Sequence, residues 1–322
     1  MRNKKETIVG IILAVAIILG IGYKYYESTQ PPQLTETIAV EQLPQQLDVP
    51  LTADQVDIIR TKPISPTRYG VIEVGASGFN SFIIDADKDD NWEMVDKQFG
   101  ESLAYEGFAT TDDVKNGLKK YLTNMFNKGV AGKNAHFVMS SGALKNPKTE
   151  MIAKSIEQMG YVVNRVTADQ EGKFAMKSQI PTDELNKSVS VDIGSGNTKI
   201  TWYENGRAKS VETFGAKFYQ NKTSESEVYS TISDIMKKIP TSNKENIYFI
   251  GGVPFQLAKE SKVGENRFTV LSNPDKYSFG DDIKLKSGLV IYKAIYDNAD
   301  DNSKMIFDWD SNFTVGFLLN LN

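Results

Sequence analysis

Apolar and polar positions fall along the chain in two repeating blocks. The run "VIEVGASGFNSFIID" (71–85) reads as a strand, a glycine turn and a second strand. With the apolar alternation that follows, it predicts a meander with strands at 70–75, 79–85 and 92–99. A helix capped by Thr110 or Thr111 comes next, with Val114, Leu118, Leu122 and Met125 on one face at helical spacing. "HFVMS" then predicts a strand, "TEMIAKSIEQMG" a helix, "YVVNRVT" a strand, and a short helix begins at Asp169. Such alternation predicts parallel strands joined by crossover helices.

The second block restarts the pattern. Strands are expected at 188–194, 197–204 and 208–214, the last two joined at Asn205 and Gly206, a pair suited to a tight hairpin. "SEVYSTISDIMKKI" predicts a helix, "NIYFIGG" a strand, "SGLVIYKAIYDNA" a helix, and "KMIFDW" a strand before a terminal helix. The starts of the blocks align: "VSVDIGSGNTKITWY" (189–203) sets Asp192 against Glu73, Gly194 against Gly75, Ser195 against Ala76, Gly196 against Ser77 and Asn197 against Gly78, an offset of 119 positions. A buried strand ending in an acid and glycines can gather backbone N–H donors on one point, which suits an anion and phosphate above all. A hairpin with a glycine-rich turn is the plainer reading of either stretch alone. Two such units predict related halves facing each other across a cleft.

Ahead of the blocks, "MRNKKE" precedes "TIVGIILAVAIILGIGY" (7–23), which carries no charge and as a helix would span about 26 Å. Lys24, Tyr25 and Tyr26 supply an interfacial edge. Residues 1–26 are therefore expected to form an uncleaved membrane anchor rather than a signal peptide, since no A-x-A site follows. Arg2, Lys4 and Lys5 before it and Lys24 alone close behind put the N-terminus in the cytoplasm and the rest outside. Residues 27–67, rich in Pro, Gln and Thr, read as a flexible linker, with folded structure from about Arg68.

Composition removes several function classes. With 322 residues, 40% hydrophobic and 24% charged, the chain suffices for two packed domains. A net charge of −4 offers no basic footprint, so no nucleic acid is expected as a partner. The absence of cysteine excludes disulfides and thiol chemistry, and a single histidine, His136, leaves no histidine metal cluster and no Ser-His-Asp triad. The acidic run "DADKDDN" spaces Asp85, Asp87 and Asp89 like a calcium loop but lacks the glycine its sharp turn needs, and is read as a solvated hairpin turn.

On these residues the region 69–322 resembles the exopolyphosphatase and guanosine pentaphosphate phosphohydrolase (Ppx/GppA) family of the actin, sugar kinase and Hsp70 superfamily. "EVGASGF" (73–79) stands where that family has D-L-G-S-N-S-F, and "SSGALK" (140–145) matches its A-T-S-A-L-R-like turn. "VTADQEGKF" (166–174) matches I-S-G-x-E-E-A-R-L, "DIGSGNT" (192–198) matches D-I-G-G-G-S-T, and "FDWDSNFTVGFLLN" echoes V-S-D-G-G-L-R-E-G-L-L. The resemblance implies an α/β, duplicated actin-like (ribonuclease H-like) fold with a central cleft, its subdomains at 68–186 and 187–322.

It also implies roles. Gly75, Ala76, Ser77 and Gly78, Lys145, Gly194, Ser195, Gly196, Asn197 and Thr198, and Gly251 and Gly252 would hold phosphate. Glu73 and Asp192 would hold Mg²⁺, and Glu171 would activate water. By sequence alone Glu171 reads equally well as a helix N-terminal acid. The chain departs from the family at Glu73 for aspartate, Gln170 for glutamate, Lys145 for arginine and "GGVPF" (251–255) for a GTGGT-like segment. The leading expectation is a membrane-anchored phosphohydrolase cleaving the terminal phosphoanhydride of polyphosphate or a pppGpp-like substrate. The alternative is a catalytically weak or inactive phosphate or nucleotide sensor, or a membrane-tethered assembly component. An ATP-dependent sugar kinase is disfavoured because nothing resembles a sugar-binding insert. Expected partners are polyphosphate or a phosphorylated nucleotide, the lipid bilayer through residues 7–23, and a second copy in a homodimer. Charge bias puts the soluble domain outside the cytoplasm, whereas family analogy puts it inside.

Overall fold

Each block of the sequence builds one sheet. The computed structural model describes residues 60–321 apart from 76–77, 101–109, 146 and 263, so the expected anchor and most of the linker lie outside the described residues. In the first sheet β1 (Thr67–Val74), β2 (Phe79–Ala86) and β3 (Trp92–Phe99) form an antiparallel meander. β4 (Ala135–Met139) and β5 (Val163–Arg165) add in parallel beside β1, giving the order β3-β2-β1-β4-β5. The second sheet repeats this with β6 (Ser188–Ile193), β7 (Asn197–Glu204), β8 (Arg207–Phe214), β9 (Asn246–Ile250) and β11 (Lys304–Asp308). Its order is β10-β11-β9-β6-β7-β8, with the short β10 (Phe268–Val270) antiparallel at the edge. The α/β duplicated layout expected from the sequence is thus present in both halves.

The helices are α1 (Thr111–Asn127), α2 (Thr149–Gln158), α3 (Ala168–Gln179), α4 (Glu225–Lys238), α5 (Gly252–Ser261), α6 (Ile283–Tyr296) and α7 (Phe313–Leu319). In α1, Thr110 and Asp113 form a reciprocal capping box, and Val114, Leu118, Leu122 and Met125 are buried in one core with Ile72, Val74 and Phe137. The sequence pattern missed α5 and β10. α5 opens on Gly251 and Gly252 with Pro254 in its first turn, residues that read as a loop until the helix is seen. β10 is three residues long and is defined by its pairing with β11.

Both faces of each sheet need cover, because residues of both parities along the central strands are apolar. Ile72 and Val74 face α1 and α2, and Val71, Phe82 and Ile84 are buried with Phe313, Val315, Phe317 and Leu318 of α7. α7 follows the last strand of the second sheet yet packs on β1 and β2, while α3 follows β5 yet packs on β6, β7 and β8. The two halves therefore exchange a helix, and the exchanged helices pack against each other. Further links join the halves. Arg267 pairs bidentately with the buried Asp308 at 2.9 and 2.8 Å while its guanidinium lies 4.1 Å over the ring of Trp92, and Lys97 reaches Asp310 at 2.9 Å.

The acidic hairpin turn is organised by Asp87. Its carboxylate accepts from the backbone N–H groups of Ile64, Asp89 and Asn91, and these bonds, led by that of Ile64, hold its pKa below the ordinary value. His136 is half-buried on β4 with its pKa lowered by burial, edge-on to Phe317.

Candidate functional site

The glycine turns at the ends of β1 and β6 close with the same hydrogen bond: Gly75 N donates to Gly78 O at 2.9 Å, and Gly194 N to Asn197 O at 3.0 Å. The acid before each turn lies opposite a donor on the next strand, Glu73 opposite Asn80 and Asp192 opposite Lys199. Directly opposed residues share a face of the sheet, so the side chains meet. Asn80 Nδ2 donates to Glu73 Oε2 at 3.1 Å, and Lys199 Nζ to Asp192 Oδ2 at 3.3 Å. The duplication is therefore expressed as one motif with a neutral donor in the first half and a cation in the second.

Lys199 has a second partner. Its Nζ lies 2.6 Å from Oε2 of Glu171, and the two side chains are 7% and 1% exposed. Glu171 reaches this position because α3 lies close on β7 and β8. A Cβ on the adjacent Gly172 would fall 2.1 Å from Ser210 Oγ and 2.6 Å from Thr201 Oγ1, so only glycine permits the approach. Thr167 and Gln170 cap the start of α3 reciprocally and fix where its first turn begins. From the first half, the turn after β4 contributes Ser141, whose N–H donates to Glu171 Oε1 and whose hydroxyl donates to Oε2 at 3.1 Å.

The electrostatics follow from this packing. Burial works against a charged Lys199, but the attractions of Asp192 and Glu171 outweigh it and its pKa lies above the ordinary value. Burial pushes Glu73 up to about 7; Asn80 opposes the shift, neighbouring Glu171 and Asp192 add to it, and Lys199 offsets part of it. At neutral pH Lys199 is thus charged, and Glu73 holds its proton more tightly than an ordinary glutamate.

The remaining sequence-predicted residues surround this cluster unevenly. Gly194 and Ser195 are half-buried and Gly196 is exposed, and the turn is held from behind by Ala216 N to Gly194 O at 3.0 Å and Lys217 N to Ser195 O at 2.9 Å. Asn197 Nδ2 donates to Glu212 Oε1 at 2.7 Å. Thr198 is wholly buried and lies opposite Ile193, on the face away from Asp192 and Lys199, so its hydroxyl is enclosed rather than presented to a ligand. Gly251 has φ +104°, and a Cβ there would sit 2.4 Å from Ile193 O and 3.1 Å from Asp192 Oδ1. The turn into Gly252 and α5 is thereby pressed against the end of β6. Lys145 ends a 3₁₀ turn, Ala143–Lys145, and its side chain, like Ala76 and Ser77, lies outside the described part.

Sequence reasoning brought Glu73, Glu171 and Asp192 to one place and missed the groups that engage them: Asn80, Ser141 and Lys199. The signal for two of these was the alignment of the halves, which sets Lys199 on Asn80. Ser141 belonged to a quoted motif but not to the expected site.

The residues expected to hold Mg²⁺ are engaged by protein groups. Among the described residues no three carboxylate or imidazole side chains are placed to hold a metal ion. The two expected ligands already have donors, Glu73 from Asn80 and Asp192 from Lys199. Mg²⁺ demands six oxygens at about 2.1 Å in near-octahedral array, and an ammonium within contact of Asp192 stands in that space. The residues present do not fit a resident Mg²⁺. Elsewhere, a cavity of about 730 Å³ opens along α3, lined by Arg60, Trp92, Lys177, Glu184 and Arg267 among others, and contains none of the expected site residues.

No protein-family model and no curated protein matches the sequence. Solved structures do match its fold. The Ppx/GppA family member of Aquifex aeolicus superposes with a TM-score of 0.56 at 16% identity, over 80% of this chain and 97% of that one. An exopolyphosphatase from Cytophaga hutchinsonii gives 0.58 at 14% identity, over 79% and 97%. These structural neighbours over some four-fifths of the chain are Ppx/GppA proteins, and the chain has their fold.

Proposed function

We propose that this domain binds a phosphoanion, the end of a polyphosphate or the phosphate tail of a nucleotide, between its paired glycine turns, and holds it without appreciable hydrolysis. The observation that carries this reading is the state of Glu171. A general base needs a free lone pair aimed at the water it deprotonates. Here one oxygen of Glu171 accepts from the Ser141 N–H, and the other from the Ser141 hydroxyl and the Lys199 ammonium. Three donors thus fill three of the roughly four lone-pair sites of this carboxylate, which supports a structural counter-charge over a free base. The matched turns, with Gly196 exposed at a tip, and the similarity of fold to exopolyphosphatases support phosphate as the bound group. The uncharged run at 7–23 supports a membrane-tethered sensor.

Slow hydrolysis is the second reading, and Glu73 favours it. With its pKa at about 7, and with no hydrogen bond from Lys199, Glu73 has the proton affinity a base at neutral pH needs. The test uses the full-length chain with polyphosphate, inorganic phosphate and ATP, measuring heat of binding and released phosphate in parallel. Binding with release at background is expected. Release abolished by Glu171→Gln would overturn the proposal in favour of the phosphohydrolase, and release abolished by Glu73→Gln alone would establish the second reading.

A further inference from the structure

The carboxylate cluster contains a cation of its own. Three carboxylates, Glu73, Glu171 and Asp192, come from three separate segments, the ends of β1 and β6 and the start of α3. Such a gathering of acids in a protein interior requires positive charge, because an uncompensated buried carboxylate is strongly unfavourable. The charge comes from Lys199, whose Nζ touches Glu171 Oε2 at 2.6 Å and Asp192 Oδ2 at 3.3 Å. The equivalent position of the first half, Asn80, makes the same cross-strand contact with Glu73 without a charge. The fold therefore places a donor at this point in both halves, and a covalently held cation in one.

We infer that Lys199 is a tethered counter-cation standing where a divalent ion would otherwise bind, so that the site works without a divalent metal, and that removing the lysine frees Glu171 and Asp192 to take a divalent cation. This deepens the phosphoanion-binding reading and, for its ligand half, rests on it. The ammonium is fixed by its strand and is present at every metal concentration. To bind, a hydrated divalent ion must strip its own water and also drive Lys199 from two carboxylate contacts into a setting where it is 7% exposed. Removing the side chain past Cβ deletes the competitor and leaves oxygen ligands of the kind such ions take.

The experiment is a titration of full-length wild type and Lys199→Ala with MnCl₂, read by electron paramagnetic resonance of free Mn²⁺, with Lys199→Ala/Asp192→Asn as the control. Wild type is expected to take up no Mn²⁺ up to millimolar concentration. Lys199→Ala is expected to bind one equivalent at least tenfold more tightly than wild type, and the double variant to lose it. Should Lys199→Ala fail to fold, Lys199→Gln, which keeps a donor while removing the charge, serves in the same titration. Stoichiometric Mn²⁺ on wild type that disappears in Asp192→Asn would overturn the inference, as would a folded Lys199 variant that gains no Mn²⁺ site. These arms use no phosphate ligand, so they stand apart from failure of the phosphoanion reading. A further arm measures binding of inorganic phosphate to wild type in EDTA and in MgCl₂. Equal affinity within about twofold is expected, a requirement for Mg²⁺ would contradict metal independence, and no binding in either buffer would count against the phosphoanion reading alone.

Discussion

Lys199 on β7 and Glu171 on α3 meet at 2.6 Å in the interior although they stand 28 positions apart in the chain, with the whole of β6 between them. The contact exists because α3 leaves the sheet it follows and packs on the other. It puts the residue to which family resemblance assigns a base's role in a buried ion pair.

Breaking that pair should be costly. Replacing one partner of a buried ion pair leaves the other charge uncompensated, an effect of about 3–5 kcal/mol. Lys199→Met is expected to lower stability to urea by about that amount, and Glu171→Gln by less, since Asp192 still faces the lysine and an amide can still accept from Ser141. Comparing the two urea midpoints checks the order, and equal, negligible effects would show the pair to be unimportant.

Glu73 predicts a pH dependence with a definite sign. In the folded protein it holds its proton up to about 7, against an ordinary value of 4.5. Between those values the folded state binds the proton and the unfolded state does not, so this group's contribution to stability falls as pH rises from about 4.5 to about 7, then levels off. Thermal melts across that window should show a smaller decline in Glu73→Gln than in wild type. An unchanged slope would remove Glu73 as its source.

Gly251 should not tolerate a side chain. Its φ of +104° is strained for any L-residue, and a Cβ would lie 2.4 Å from Ile193 O. Gly251→Ala is expected to cost at least about 1–3 kcal/mol and to weaken phosphate binding, because the turn it would push away borders Asp192. Gly252→Ala, where no atom lies within 4 Å of the new Cβ, is the control expected to be nearly neutral.

Arg267 should be a keystone between the halves. Arg267→Ala leaves Asp308, whose carboxylate is fully buried, without its guanidinium and strips the cation from the face of Trp92. A loss of about 3–5 kcal/mol is expected in chemical denaturation. Since the arginine touches none of the glycine turns, phosphate affinity of the folded fraction should remain.

Much of the fold was legible in the pattern because it is duplicated. The strand, acid, turn and strand at 71–85 return at 189–203, and periodicity locates the strands of both meanders to within three residues. Where signals were punctuated or short, as at Gly251 and Gly252 opening α5 or the three residues of β10, the pattern fell silent. The placement of Glu73, Asp192 and Glu171 came from motif resemblance, whereas the helix exchange that unites them left no local trace.

The sequence by itself determined what each half is, since apolar alternation, capping residues and glycine turns act within a few positions of one another. It also set which residues carry charge and that cysteine and histidine chemistry is absent or nearly so. Only the tertiary structure decided what surrounds Glu171. A carboxylate's chemistry depends on which donors surround it, and those at Glu171, Ser141 and Lys199, are 30 and 28 residues away along the chain and reach it only when α3 crosses to the second sheet.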